Sequence, residues 1–212
     1  DFGGTTPENL IPEGVPQLYM TGNSFGNWDW NAASVVSMEN GYAGNSRWFY
    51  ISYIPGGEAL EFSTDKASGK GNFAKLMNAD GYQVVHDRAV VAANGIYLIY
   101  VGLDSREIDI QPLSLSGDCG GASVEFTTNP DGRTMSATLA KGGRMRIYPN
   151  IPAFQNVKKF GSWKREVYID PETGAFLYRK NGEGEPNKDY VWKAGTKITI
   201  DFVTKKATIE VP

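Results

Sequence analysis

Leu18-Tyr-Met-Thr-Gly-Asn23 and Leu113-Ser-Leu-Ser-Gly-Asp118 share one order of apolar, polar and turn-forming residues, and the pair divides the chain into two versions of the same module. The register continues downstream. Arg47-Trp-Phe-Tyr-Ile-Ser-Tyr-Ile-Pro-Gly-Gly57 followed by Ala59-Leu-Glu-Phe62 parallels Arg133-Thr-Met-Ser-Ala-Thr-Leu-Ala-Lys-Gly-Gly143 followed by Met145-Arg-Ile-Tyr148. Each reads as a hairpin turned by a Gly-Gly pair, because glycine reaches positive φ without steric cost. Ile99, Val101, Leu103, Ile108 and Ile110 match Ile198, Ile200, Phe202, Ala207 and Ile209 at a constant offset. That alternation predicts strands buried on one face.

A chain of 212 residues suits two domains better than one, given a usual domain size of roughly 100–150 residues. Its 25 Gly, 11 Pro and 12% aromatic content favour turn-rich β structure. Phe73–Met77 and Ala89–Ala93 could each form a turn or two of helix, but Gly81, Gly95 and nearby β-branched residues leave little room. The expected architecture is all-β, two tandem immunoglobulin-like β-sandwich domains. Residues 1–16 read as a Gly-, Pro- and Thr-rich linker, 17–112 as the first module and 113–212 as the second.

Several function classes are excluded or weakened by composition. The formal net charge of -3 argues against nucleic acid, which demands a concentrated basic surface, and Lys158, Lys159, Lys164 and Arg165 read mainly as a local solvated rim, with donation to sugar hydroxyls as the alternative. No 18-residue apolar window offers a membrane span. The sequence shows no leader peptide, so the chain is expected to be mature, truncated or cytosolic. Lone Cys119 offers neither an intrachain disulfide nor a metal pair, and no cofactor motif appears. His86 is the single histidine and lacks a nucleophile-elbow partner, so it reads as a surface or strand-end residue. Glu58, Glu61, Glu166, Glu172, Glu183 and Glu185 fall beside turns or in alternating positions and read as solvated carboxylates, not a glycosidase pair.

The modules differ most in one loop. After Asn23 the first continues Ser24-Phe-Gly-Asn-Trp-Asp-Trp-Asn31 before Ala33-Ser-Val35, whereas the second passes through Cys119-Gly-Gly121 to Ala122-Ser-Val124. A loop that one copy omits is not required by the fold, so Trp28 and Trp30 point to binding. In an extended segment their side chains share one side, with Asn27, Asp29 and Asn31 alternating as donors and acceptors. An indole plane beside amide and carboxylate groups suits the apolar C–H face and hydroxyl rim of a pyranose. The competing reading is that one of the rings caps the core. In the second module Trp163-Lys164 and Trp192-Lys193 place aromatics beside lysines. Trp163 aligns with Phe73, which leaves packing open for it, while Trp192 aligns with Ala93 and is less dictated by the fold.

The Leu18–Asn23 opening with its Trp loop, the Gly-Gly turn before an apolar-X-Phe strand, and the closing Gly95-Ile-Tyr-Leu-Ile-Tyr-Val-Gly-Leu-Asp104 with Ile108-Asp-Ile110 resemble the tandem C-terminal domains of SusE/SusF-type outer-membrane lipoproteins of Bacteroidetes. The resemblance spans about residues 15–212 and implies non-catalytic capture of polysaccharide or oligosaccharide at the cell surface. It also implies work beside a SusC/SusD-like transporter complex, and a lipid anchor and immunoglobulin-like domain upstream of this chain. Aromatic platforms with nearby basic residues would then fall on Trp28 and Trp30, and on Trp163, Lys164 and Trp192. The alternative is a structural or protein-docking pair of immunoglobulin-like modules, with the loop tryptophans seated on a neighbour.

Overall fold

The computed structural model describes residues 12–41, 44–66, 73, 78–150 and 163–212. Asp1–Ile11 of the expected linker, most of Phe73–Met77, and Lys158 and Lys159 lie outside the described residues. The described chain is all-β, with one 3-10 turn at Trp163–Arg165. No helix among the described residues is long and apolar enough to cross a membrane.

The first ten strands are β1 (Tyr19–Gly22), β2 (Val36–Ser37), β3 (Glu39–Asn40), β4 (Arg47–Ile54), β5 (Ala59–Ser63), β6 (Asn78–Asp80), β7 (Gln83–Val85), β8 (Arg88–Val90), β9 (Gly95–Gly102) and β10 (Glu107–Pro112). They form two five-stranded sheets, ordered β2-β1-β5-β8-β7 and β3-β4-β9-β10-β6. Ala89 and Val90, read as a possible helical turn, sit in β8, where Leu60 pairs with Ala89. Their β-branched neighbours find partners across the sheet, which a lone helical turn could not supply.

Eight more strands follow: β11 (Ser114–Cys119), β12 (Ala122–Thr128), β13 (Thr134–Thr138), β14 (Met145–Asn150), β15 (Val167–Ile169), β16 (Phe176–Tyr178), β17 (Lys197–Asp201) and β18 (Lys206–Glu210). They make one sheet, β16-β15-β14-β11-β12-β13-β17-β18. It folds at β12. Residues Ala122–Phe126 pair with β11, and Thr127 and Thr128 pair with β13. The far edges meet through the Ala175↔Lys206 bridge, with Phe176 N donating to Lys205 O at 3.0 Å and Ala207 N to Gly174 O at 2.7 Å. Edge backbone groups are thereby paired, which removes much of an exposed edge's tendency to associate.

The pairings correct the reading of the Gly-Gly turns. β4 and β5 belong to different sheets, and β13 and β14 do not pair with each other, so each Gly-Gly turn carries the chain between layers. Glycine is needed there for close approach. A Cβ at Gly56 would lie 2.9 Å from the Ala93 backbone, and one at Gly142 2.8 Å from Trp192 O. The tight hairpin is at Gly120-Gly121, both with positive φ, where Cys119 pairs with Ala122.

The chain divides into two compact units, one of Asp1–Tyr50, Ile54–Asn94 and Leu98–Gln111, the other of Ile51–Tyr53, Gly95–Tyr97 and Pro112–Pro212. Leu18, Met20, Phe49, Leu60, Phe62 and Ile108 are buried in the first. In the second, Leu115, Ile147, Val167, Ile169, Ile198 and Ile200 are buried. Strand β17 shows the expected alternation, while β9 is buried on both faces from Ile96 through Gly102. A strand sandwiched on both sides needs a continuous apolar run, and Ile96-Tyr-Leu-Ile-Tyr-Val101 supplies one. Cys119 is fully buried at the end of β11, its thiol pushed upward in pKa by desolvation and then by Asp118.

Candidate functional site

The loop from β1 to β2 is a chain of turns and not an extended segment. Gly26, Asn27 and Trp28 have φ of 86°, 46° and 69° in succession, left-handed values that are rare for a ring as large as indole. Asp29 N then donates to Gly26 O at 3.0 Å and Ala32 N to Asp29 O at 3.0 Å. The expected alternation of Trp28 and Trp30 therefore does not arise, because it presupposed strand geometry. The loop is anchored by a different ring. Phe25 is buried and meets Tyr50 edge-on at 6.2 Å, while Thr21 Oγ1 donates to Phe25 O at 2.8 Å.

Trp28 and Trp30 are half-buried, and Asn27, Asp29 and Asn31 are exposed. Asp29 spends one carboxylate oxygen on Asn31 N at 3.0 Å, closing the turn. One face of Trp28 is occupied by the guanidinium of Arg88, whose carbon lies 3.5 Å from the ring centroid. Arg88 is held in turn by Glu61 at 3.0 Å. Cation–π contact of this closeness stabilises the ring but leaves only its opposite face for a ligand. No local pattern could have announced Arg88, which reaches the loop from β8. His86, beside it, is exposed in the β7–β8 turn with φ of 48°.

A second cluster centres on Trp163, which is 45% exposed. Phe73, its sequence counterpart, is 1% exposed. The two aligned aromatics therefore do different things, one packing and one standing open. Lys164 Nζ lies 5.2 Å and the Arg179 guanidinium carbon 5.3 Å from the Trp163 ring centroid. Arg179 is placed by the β15–β16 ladder, which continues as Arg179 N donating to Glu166 O at 3.0 Å.

Glu166 fixes this arrangement. Its side chain is 1% exposed, correcting the expectation of a solvated carboxylate, and it accepts from Arg146 Nε at 2.8 Å, Arg146 Nη2 at 2.9 Å and Arg179 Nη1 at 2.9 Å. Hydrogen bonding to Glu166 raises the pKa of Arg146 still further and keeps it charged. Arg179 also donates Nε and Nη2 to Glu183 O at 3.1 and 3.0 Å. Glu185 lies 3.0 Å from Arg144 and 3.4 Å from Arg146. Arg165, whose pKa desolvation lowers, donates Nε to Pro149 O at 2.9 Å. The sequence contained these arginines and glutamates but no local spacing that joined them, since β14, β15 and β16 bring them together.

Trp192 must be removed from the platform residues. It is 2% exposed, its backbone exchanges two 2.9 Å hydrogen bonds with Gly143, and its ring meets Tyr190 edge-on at 5.0 Å. A ring so buried offers no face to a sugar. Among the described residues no group of three or more His, Cys, Asp or Glu could hold a metal ion.

No family model matches the sequence, and no curated protein matches it. Among solved structures the fold is similar to that of SusF from Bacteroides thetaiotaomicron, with a TM-score of 0.68 at 22% sequence identity. The match covers 93% of this chain and 48% of that one, so this chain spans about half the length of SusF.

Proposed function

We propose that this chain binds polysaccharide without catalysis and that Trp163 is its principal platform. The observation that carries this reading is an indole 45% exposed beside an arginine immobilised by a buried carboxylate. An exposed ring can stack on a pyranose face, and a fixed guanidinium can meet the sugar's oxygen rim without losing freedom on binding. Glu166 already accepts three hydrogen bonds, which suits a positioning role better than that of a general acid. The Trp28–Trp30 loop is a further contact, using whichever faces Arg88 leaves open. The likeness in fold to SusF supports the same reading. So does the matching strand order β2-β1-β5 with β12-β11-β14, and β3-β4-β9-β10 with β12-β13-β17-β18, which favours two copies of one module. A cell-surface location and a transporter partner belong to this proposal through the resemblance to SusE/SusF-type proteins.

With few rings in play, binding free energy is expected at about 4–8 kcal/mol, a micromolar to millimolar dissociation constant. Native affinity electrophoresis across plant, microbial and host polysaccharides tests it. Retardation by at least one polymer, with no reducing sugar released on long incubation, is the expected result. Sugar release abolished by changing a single glutamate would replace this reading with a glycosidase. The stacking of Arg88 on Trp28 favours one rival element, that this loop is self-packed or docks a protein, and pull-down of a partner lost in Trp30→Ala would support it.

A further inference from the structure

The chain holds three Asn-Gly pairs, at Asn40-Gly41, Asn94-Gly95 and Asn181-Gly182. In such a pair the backbone nitrogen that follows asparagine can attack the side-chain amide carbon, because glycine has no Cβ to obstruct the approach. The reaction needs an amide free to turn back along the chain and a backbone N–H free to lose its proton. Folding denies this to the first and second pairs. Gly41 is buried and its N donates to Arg47 O at 3.1 Å, while Asn40 Nδ2 donates to Asn45 Oδ1. Asn94 Oδ1 accepts from Gly56 N at 2.7 Å, which holds its amide on the Gly-Gly turn, and Gly95 is built into β9.

The third pair is open. Asn181 and Gly182 are exposed in the turn after β16, and among the described residues neither the Asn181 amide nor Gly182 N takes part in a hydrogen bond. The turn closes around them instead, with Glu183 N donating to Lys180 O at 3.0 Å and Lys180 N to Glu183 Oε2 at 2.9 Å. A Cβ added at Gly182 would meet nothing within 4 Å, so the approach is clear of neighbours as well. We infer that Asn181-Gly182 is a self-modification site, at which the folded chain converts to a mixture of isoaspartate and aspartate. Gly182 N bonds to Asn181 Cγ and the Cγ–Nδ2 bond breaks, releasing ammonia that carries away the Gly182 amide proton. Water then opens the cyclic imide at either carbonyl, with no oxidant or reductant involved. Opening at the original main-chain carbonyl leaves isoaspartate, whose backbone is one methylene longer. That methylene enters the turn whose Glu183 O accepts from Arg179 Nε and Nη2 at 3.1 and 3.0 Å. The anchor of the guanidinium beside Trp163 thereby changes shape, and a new carboxylate joins it.

Incubation of the whole chain in mildly alkaline buffer, with a urea-unfolded sample beside it, tests this by mass-spectrometric peptide mapping and isoaspartyl methyltransferase labelling. In urea all the Asn-Gly pairs should convert at similar rates. In the folded chain Asn181 should lead Asn40 and Asn94 by at least about tenfold, since each of those must first give up a hydrogen bond. Asn181→Gln keeps an amide but lengthens the side chain, so it should abolish the product at that position while the thermal melt stays unchanged. Conversion of Asn40 or Asn94 as fast as that of Asn181 in the folded chain would overturn the assignment. So would an Asn181 that stays intact when folded, whether or not it converts in urea, because the turn would then protect it as firmly as hydrogen bonds protect the others.

Discussion

Trp163 is 45% exposed and Trp192 2%, and the difference follows from what lies opposite each backbone. Trp163 opens a 3-10 turn beside two charged side chains, while Trp192 is bridged to Gly143 through its backbone and meets Tyr190 edge-on. Trp163→Ala should weaken glycan binding about five- to hundredfold, taking a stacked ring at roughly 1–3 kcal/mol by analogy with base stacking, with little change in melting temperature. Trp192→Ala should instead lower stability by about 3–5 kcal/mol, and titration paired with thermal unfolding reads both. If Trp163→Ala melts far lower and still binds, the ring belongs to the core. The sequence marked both residues as aromatics beside lysines; alignment with Phe73 left packing open for Trp163, while alignment with Ala93 pointed away from the burial of Trp192. Burial depends on the strand or turn across the way, which alignment of the two halves of the sequence does not reveal.

At the scale of an element, Glu166 ties β14 and the end of β16 to the turn that carries Trp163. Glu166→Gln would leave Arg146 with Glu185, which it shares with Arg144, and would take from Arg179 the carboxylate that it meets, and neither guanidinium is more than a quarter exposed. Removing one partner from so buried a network costs about 3–5 kcal/mol, to be read by denaturant unfolding, and glycan affinity should fall with it because Arg179 loses its fixed position. Normal stability in this variant would show that the network is replaceable. The two-residue β11–β12 turn offers a finer comparison. Gly120 and Gly121 have φ of 57° and 78°, so alanine at either is expected to cost about 1–2 kcal/mol. A Cβ at Gly120 would also meet Gly142 O at 2.1 Å, whereas Gly121 faces open space. Gly120→Ala should therefore destabilise clearly more than Gly121→Ala. Elements of this kind were legible as Gly-Gly pairs, but their role was not. The same dipeptide closes a hairpin at 120–121 and crosses between layers at 56–57 and 142–143, because the distinction rests on which sheet receives the next strand.

For the molecule as a whole, the all-β class was legible in the sequence, since apolar alternation is local. The sequence disclosed less of the charge arrangement, which is assembled across strands, and nothing of how burial alters titration. Lys205 is the clearest case: desolvation lowers its pKa to about 8, with its ammonium donating to Phe202 O. An unfolded lysine keeps its proton to about pH 10.4. Between these values the unfolded chain binds more protons than the folded one, so stability rises with pH, by on the order of 2 kcal/mol from pH 8 to 10. Tyr50 and Tyr100 act oppositely. Burial, the largest cause for both, pushes their hydroxyls up to about 12, so above pH 10 the folded state holds protons that the unfolded state releases, and stability falls. The raised Cys119 thiol acts in the same sense as the tyrosines from about pH 8.5, so the profile is read in a Cys119→Ala background, where urea unfolding should give a maximum near pH 10. Adding Lys205→Met should flatten the rising limb and spare the falling one, and a Cys119→Ala profile that declines steadily from pH 8 would show that the ammonium is solvated in the folded chain.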